Sequence, residues 1–376
     1  MDETGTLVYS FYGNSGEELY AQVQATVDHC CEEGADYVVA LAHLGDDESS
    51  APFCSTDLIA GTTGIDAVLD GHSHSVIPCD LLKNRDGELV LLSATGTGLN
   101  NIGQLVITAD GNLNAGLIGA YPDIDAETDA YIKEIQSQYE ADLGQVIARS
   151  EVSLTTGDGA VVRLIRNREI NLGDFCADAY RAVSGADIAI VNGGGIRADL
   201  EPGEITYGDI ISVPPYGNTL CVVEATGQEI LDALELASRS TMPATSDGEN
   251  AVGESGGFLQ VAGLRYTIDT SVASSVVLDG SGMFISCGEN RRVRDVQVQQ
   301  EDGSYLPIDP ESVYTLASHN YLIKQGGDGF TMFMDNTLVM DEGMLDYQIL
   351  MTYLTDDLGG VVGGTYEAPQ GRITVR

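Results

Sequence analysis

Three histidines follow short apolar segments of the sequence, where their side chains could bind a divalent metal ion. His43 ends the segment DYVVALAH, and His72 and His74 lie in the GHSH that follows IDAVLD. Neutral imidazole is a common ligand of zinc and similar ions, so we predict a metal site here. Solvated loop histidines are the alternative, and Asp46 and Asp47 are weaker candidates because acidic residues are abundant in this chain.

A second group of candidate residues is cationic. Arg163, Arg166 and Arg168 lie close together in sequence, and Arg197 closes the loop NGGGIR. The chain has 17 Lys and Arg against 58 Asp and Glu, a net charge of -41. In so acidic a chain, clustered guanidinium groups suggest binding of phosphate or sugar oxygens. Ion pairing of these arginines with surface carboxylates is the alternative.

Two glycine-rich loops and two tyrosines add the features of a small-molecule site. The loops NGGGIR (192–197) and GGDG (326–329) would let backbone amides approach a ligand closely. Neither loop matches a P-loop or a dinucleotide fingerprint. Tyr216 in PPYGN and Tyr321 in HNYL fall in predicted loops, where two rings could sandwich a flat base. A packing role for each tyrosine is the alternative.

Bulk composition excludes some partners. A surface as acidic as this one repels phosphate backbones, so we expect no nucleic-acid polymer as partner. No run of eighteen or more apolar residues occurs, which predicts no transmembrane segment. The first residues, MDETG, lack the basic and apolar regions of a signal peptide, and none is expected in this sequence.

The elements that must position the histidines follow a strand–helix–strand pattern. Ser15 to Glu18 (SGEE) has capping-box spacing ahead of a predicted helix. Buried strands are predicted at 36–43 and 65–70, separated by a short helix near 57–60. Such a unit predicts parallel strands, with ligand-binding residues at their carboxyl ends.

The rest of the chain divides into two predicted regions. Residues 81–120 are typical of antiparallel strands that close a first domain. A helix carrying Ile132, Ile135, Tyr139 and Leu143 on one face follows, and we place the domain boundary near 125–150. Helices and strands of a second domain are predicted at 171–183, 186–191, 227–238, 258–268, 291–299 and 313–317.

The order of four motifs resembles the 5'-nucleotidase family, which includes ecto-5'-nucleotidase and the periplasmic UDP-sugar hydrolases. The motifs are NGGGIR (192–197), PYGN (215–218), GFLQVAG (257–263) and GGDGF (326–330). The resemblance implies an α/β chain with three parts. These are the C-terminal half of a calcineurin-like metallophosphoesterase β-sandwich with flanking helices at 1–122, a linker helix at 123–152, and an α/β 5'-nucleotidase C-terminal substrate-binding domain at 153–376.

The resemblance also implies a role for each matching residue. Arg166 matches an arginine that holds the ribose, Asn192 matches the asparagine that reads the base, and Asp328 matches a carboxylate that accepts ribose hydroxyls. Tyr216 and Tyr321 match two rings, often phenylalanine in the family, that stack on the base. Arg197 matches a second ribose or phosphate contact. The full substrate-binding set is Arg166, Asn192, Gly194, Arg197, Tyr216, Tyr321 and Asp328.

In the first region, His43 and His72 match ligands of one metal ion, and His74 matches a ligand of another. The intact family uses two divalent ions, such as Zn, Mn, Mg or Ca, to polarise phosphoryl oxygens and generate a hydroxide. The family's Asp-x-His, Gly-Asp and Gly-Asn-His-Glu segments do not occur before His43. We therefore expect a truncated catalytic domain without its catalytic residues, nearly inactive alone.

The expected function is hydrolysis of nucleotide phosphate esters, of the 5'-nucleotidase, cyclic-nucleotide phosphodiesterase or UDP-sugar hydrolase type. The expected partner is a nucleotide or nucleoside, and the expected location is extracellular, periplasmic or associated with the cell wall. The alternative function is a secreted protein that binds nucleosides without catalysis. Base preference, metal identity and oligomeric state stay open at this point.

Overall fold

The protein is described by a computed structural model that covers residues 15–46, 50–157, 163–242, 253–280 and 282–376. Asp47, a weaker metal candidate, lies outside the described residues. The chain forms two compact units, Met1–Ala130 and Tyr131–Arg376. Among the described residues, no helix has both the length and the apolar character needed to cross a membrane.

The mixed α/β class is confirmed by eight helices and twenty strands in these ranges. The helices are α1 Gly16–Glu32, α2 Ser55–Gly61, α3 Ala126–Leu143, α4 Asn171–Ser184, α5 Tyr207–Ser212, α6 Gly227–Ala237, α7 Asn320–Ile323 and α8 Asp346–Thr352. The first ten strands are β1 Val39–Leu41, β2 Ala67–Asp70, β3 Val76–Lys83, β4 Leu89–Thr95, β5 Ile102–Ile107, β6 Leu113–Ile118, β7 Val146–Ser150, β8 Ile188–Asn192, β9 Gly203–Thr206 and β10 Leu220–Thr226. The others are β11 Leu259–Ala262, β12 Leu264–Ile268, β13 Val276–Leu278, β14 Phe284–Cys287, β15 Val293–Gln299, β16 Tyr305–Pro307, β17 Val313–His319, β18 Leu338–Met340, β19 Val361–Val362 and β20 Ile373–Val375.

The first unit is built on a four-stranded sheet in the order β1-β2-β4-β3. β1 pairs with β2 in parallel, as the strand–helix–strand pattern predicts. Helix α1 begins where the capping-box spacing places it, with the Ser15 hydroxyl accepting a hydrogen bond from the amide of Glu18. Apolar side chains of α1, α2 and the sheet, including Val27, Ile59 and Val68, form its core.

The helix predicted for the linker range forms as α3, and the boundary between the two units falls inside it. Its apolar face is not covered, since no residue of α3 is buried in the described structure. Ile132, Ile135 and Tyr139 are 48%, 40% and 56% exposed. The sequence periodicity therefore identified the helix and its apolar face without showing what packs against that face.

The second unit contains a five-stranded sheet in the order β11-β8-β17-β10-β18. In β8 the alternate residues Ala189 and Val191 pack into the cluster that contains α4, whereas Ile188 and Ile190 pack into the cluster that contains α6. Both faces of this strand are thus buried, which explains its continuous apolar sequence. The sheet forms a layer between the two helices.

Strand order in this sheet brings distant residues to one edge. β8 and β17 are parallel neighbours, so their carboxyl ends, Asn192 and His319, lie at the same edge. β10 runs antiparallel to β17 and pairs Leu220 with His319, which places the segment before β10 at that edge as well. Ligand sites of open α/β sheets form at such carboxyl ends.

Candidate functional site

Two glycine-rich loops meet at the carboxyl end of β8. The side-chain amide of Asn192 donates a hydrogen bond to Oδ2 of Asp328 over 2.7 Å. Asn192 is only 4% exposed, so the bond is shielded from bulk water. The contact joins the loop that follows β8 to the loop that follows α7, and it makes these two segments into one site.

The Asp328 backbone has a left-handed conformation, with φ of 55°. The ring of Tyr321 stabilises this turn, since its hydroxyl accepts a bond from the Asp328 amide and donates one to Oδ1, each at 3.2 Å. Tyr321 lies in the short helix α7 rather than in the predicted loop. Gly327 packs against the Tyr321 ring so closely that a Cβ there would lie 2.3 Å from Cζ.

Arg166 lies close to this carboxylate, and the guanidinium groups of Arg163 and Arg197 lie close to Arg166. Burial, together with the nearby guanidinium groups of Arg163 and Arg197, lowers the pKa of Arg166 to about 10, while Glu254 and Asp328 oppose the shift. Arg163 pairs with Glu254, with Nε 3.2 Å from Oε2. A partly desolvated cationic group among other cations is stabilised by an anionic or oxygen-rich ligand. The arrangement is suited to binding phosphate or sugar oxygens.

Gln260 fixes the turn that carries Arg166. Its Nε2 donates to the carbonyl oxygens of Ile165 and Arg168 at 3.0 and 2.8 Å, and Gln260 is fully buried. The amide of Ser255 also donates to the Arg166 carbonyl, at 3.0 Å. Sequence reasoning missed Gln260 as a site residue, although it lies within the motif GFLQVAG that carried the resemblance.

Tyr216 precedes β10 and so lies at the same edge of the sheet as Tyr321, which follows β17. Tyr216 is 60% exposed. Burial raises the pKa of Tyr321 to about 12, with smaller contributions from Asp328 and from Tyr216. The Tyr216 segment is tied to α7 because Asn320 Oδ1 accepts from the amide of Thr219 at 3.1 Å. The structure thus brings both predicted rings to one edge, one half-buried and one open to solvent.

In the first glycine-rich loop, two of the backbone amides that were expected to approach a ligand are bonded to other backbone groups. The amides of Gly193 and Gly194 donate to the carbonyl oxygens of Phe258 and Gly256, at 2.7 and 2.8 Å. A Cβ at Gly193 would lie 2.2 Å from the Ile165 carbonyl oxygen. These glycines let three backbone segments pack closely, and a ligand contact at Gly194 stays a prediction. Arg197 Nη1 donates to the Gly194 carbonyl at 3.3 Å.

In the first unit, the rings of His43 and His72 meet edge to face, with centroids 5.3 Å apart and planes at 71°. Gly71 makes this approach possible, because a Cβ there would be 2.9 Å from Nδ1 of His43. His74 follows with φ of 61°. Asp46 Oδ1 accepts a hydrogen bond from Ser75 Oγ at 2.7 Å.

These positions test how well the histidines fit a metal ion. The two imidazoles follow the neighbouring strands β1 and β2, and their rings are in contact. No group of three or more His, Cys, Asp or Glu side chains placed to bind an ion occurs in the described ranges. The ligand roles of His43, His72 and His74 therefore stay predictions.

Comparison with known proteins identifies a family for the second unit most directly. The sequence profile of the family described as 5'-nucleotidase, C-terminal domain, matches residues 146–335. The chain is 28% identical over 336 residues to a trifunctional nucleotide phosphoesterase of Bacillus subtilis (strain 168), covering 86% of this chain and 20% of that protein. It is 27% identical over 360 residues to an apyrase of Tabanus yao, covering 86% of this chain and 58% of that protein.

Solved structures give the same result for the fold. The structure resembles that of a 5'-nucleotidase precursor from Thermus thermophilus, with a TM-score of 0.73 and 28% identity. The match covers 95% of this chain and 67% of that chain. In contrast, the chain spans less than two thirds of the length of the two curated relatives.

The hydrogen bonds of Gln260 generate a prediction about the arginine turn. Gln260→Met keeps the side-chain length but leaves the carbonyl groups of Ile165 and Arg168 without a donor. We expect amide hydrogen exchange over 164–168 to accelerate by about tenfold or more. Gln228→Met is the control, because Gln228 is an exposed glutamine of α6. Equal exchange in this segment for both variants and the wild type would show that Gln260 does not hold the turn.

Proposed function

Because this chain belongs to the 5'-nucleotidase family, we propose that its second unit binds the nucleoside part of a nucleotide whose phosphate ester is then hydrolysed. The observation that carries the proposal is the network of Asn192, Asp328 and Tyr321, with the guanidinium of Arg166 close to its carboxylate. These groups supply an amide, a carboxylate, a ring and a cation within one small region. The base and the ribose of a nucleoside carry groups that can bind to each of these four.

Each proposed role follows from the chemistry of the group. The rings of Tyr321 and Tyr216 stack on the base, since aromatic stacking tolerates any base and contributes about 1–3 kcal/mol per base. Asp328 accepts ribose hydroxyls. Arg166 and Arg197 bind ribose or phosphate oxygens, for which the forked guanidinium is suited. In a chain with a net charge of -41, these cations are what makes an anionic ligand acceptable.

The hydrolytic step is proposed for the first unit. His43 and His72 are the residues that would hold a divalent ion there, with His74 as a further candidate. Such an ion, when bound, supplies Lewis-acid chemistry at a phosphoryl oxygen. A nucleoside-binding protein without catalysis is the second candidate function, and the adjacent imidazoles of His43 and His72 favour the hydrolase. We also propose an extracellular, periplasmic or wall-associated location, in line with the acidic composition.

Calorimetry tests the proposed nucleoside site directly. We expect adenosine and AMP to bind the wild-type chain, and Asn192→Ala to weaken both by about tenfold or more, since it removes a buried partner of Asp328. Asn290→Ala is the control because Asn290 is exposed, and it should leave both affinities unchanged. If the wild-type chain bound neither ligand, the nucleotide assignment would be wrong.

The contact between Gly327 and Tyr321 gives a second test. In Gly327→Ala the new methyl group must displace the ring, which costs about 1–3 kcal/mol for overpacking and moves a stacking surface. We expect a lower melting temperature and an adenosine affinity weakened by about tenfold. Gly364→Ala is a matched control, since a Cβ there meets no atom of the described residues within 4 Å. Unchanged adenosine binding by Gly327→Ala would argue against stacking on Tyr321.

Hydrolysis is assayed separately from binding. No group of three or more His, Cys, Asp or Glu side chains placed to bind an ion occurs in the described ranges, so we expect the chain alone to release phosphate from AMP far more slowly than ordinary enzymes, even with Mn²⁺ or Zn²⁺. Typical turnover numbers are about 1–1000 per second. A metal-dependent rate in that range, abolished by His43→Ala, would show that the chain is catalytically complete.

A further inference from the structure

His319 is a buried residue that the proposed roles do not use. It ends β17, it is 3% exposed, and its Nε2 lies 3.0 Å from Oδ1 of Asn192. Its Nδ1 has no hydrogen-bond partner among the described residues. The ring also lines a cavity of about 20 Å³, together with Tyr180 and Asp346, which is large enough for one water molecule.

The direction of the hydrogen bonds follows from the carboxylate of Asp328. A carboxylate accepts hydrogen bonds, so the group of Asn192 that faces it at 2.7 Å must be the NH₂ group. The amide oxygen of Asn192 then faces His319 and needs a donor. His319 must therefore carry its proton on Nε2. Burial lowers the pKa of His319 to about 4, so the ring is neutral at pH 7 and Nδ1 carries no proton.

This chain of bonds leaves Asn192 with little freedom. Its oxygen is bonded to His319 and also lies against Gly195, where a Cβ would approach it to 2.8 Å. One of its two N–H groups is bonded to Asp328. The hydrogen-bonding capacity that remains for a ligand is the second N–H, which is a donor.

We propose that His319 is a positioning residue that holds the Asn192 amide with its NH₂ group towards the ligand, so that the site takes bases presenting a hydrogen-bond acceptor there. The acceptor is a ring nitrogen or a carbonyl oxygen of the base. Without the bond from His319, the amide is held by Asp328 alone, so its plane can tilt and its second N–H loses its fixed direction. This inference rests on the proposed nucleoside site and specifies its recognition chemistry.

A purely structural role is the competing explanation for His319. Its ring is 6.0 Å from that of Tyr321 with planes at 28°, and it meets Tyr180 edge-on at 6.3 Å. Packing of this kind depends on the shape of the ring. Positioning depends on a donor at the place of Nε2, so the two explanations predict different results for side chains of similar size.

Three substitutions of His319 separate these explanations in the full chain. The amide nitrogen of glutamine reaches the place of Nε2, that of asparagine reaches only the place of Nδ1, and leucine has no donor. We expect His319→Gln to keep the wild-type adenosine affinity within about twofold. His319→Asn and His319→Leu should each weaken it by about tenfold, the effect of one buried hydrogen bond.

Base analogues report on the acceptor itself. Calorimetry with adenosine and its 1-deaza, 3-deaza and 7-deaza analogues should show one analogue binding the wild type about tenfold more weakly, because C–H replaces the contacted nitrogen. In His319→Leu that difference should shrink to less than about threefold. If the variant instead weakens all four ligands by the same factor, or if all three variants match the wild type, positioning by His319 is excluded while the nucleoside site stands.

A measurement on the wild-type chain avoids any folding defect of the variants. The ¹⁵N shifts of the His319 imidazole should show the proton on Nε2, and a proton on Nδ1 would overturn the proposal. Failure of the wild type to bind any of the four ligands would instead contradict the proposed function on which it rests. The two failures are therefore distinguishable.

Discussion

The hydrogen bond between Asn192 and Asp328 is the contact on which the geometry of the site depends. It joins residues 136 positions apart in the chain, each part of a glycine-rich loop. The loops can meet only because Gly193 and Gly257 have no side chain where a Cβ would strike Ile165 or Asp328. Breaking this bond removes the partner of Oδ2 of Asp328 and of one buried N–H of Asn192, which costs more than losing an ordinary surface contact.

Charge imposes the second constraint. A chain with a net charge of -41 can bind an anionic ligand only where cations are concentrated. Arg163, Arg166 and Arg197 provide that concentration, and mutual repulsion is limited by Glu254 and Asp328. The two carboxylates do not fully offset this repulsion, because burial and the other arginines still lower the pKa of Arg166. An anionic ligand that bound here would reduce this repulsion. The repulsion that destabilises the ligand-free site therefore favours binding of an anion.

Local sequence patterns predicted much of the fold, but they could not predict contacts between residues far apart in the chain. The cap at Ser15, the parallel pairing of β1 with β2 and the helices α4 and α6 follow from short-range periodicity and spacing. The contacts of Gln260 with Ile165 and of His319 with Asn192 could not be read from the sequence, since they join residues 95 and 127 positions apart. The glycine loops show the same limit. Their composition predicted close approach to a ligand, but Gly193 and Gly194 of the first loop pack against other backbone segments, and Gly327 of the second packs against the Tyr321 ring.

The hydroxyl group of Tyr321 explains why tyrosine is useful where the resembling family often has phenylalanine. Asp328 adopts a positive φ, a conformation that costs energy for any residue with a side chain. The Tyr321 hydroxyl bonds both the amide and the carboxylate of Asp328, so it offsets that cost. A phenylalanine would keep the stacking surface but leave the turn without these bonds. The ring therefore serves two purposes in this chain, because the residue that would stack on the base also fixes the carboxylate that would bind the ribose.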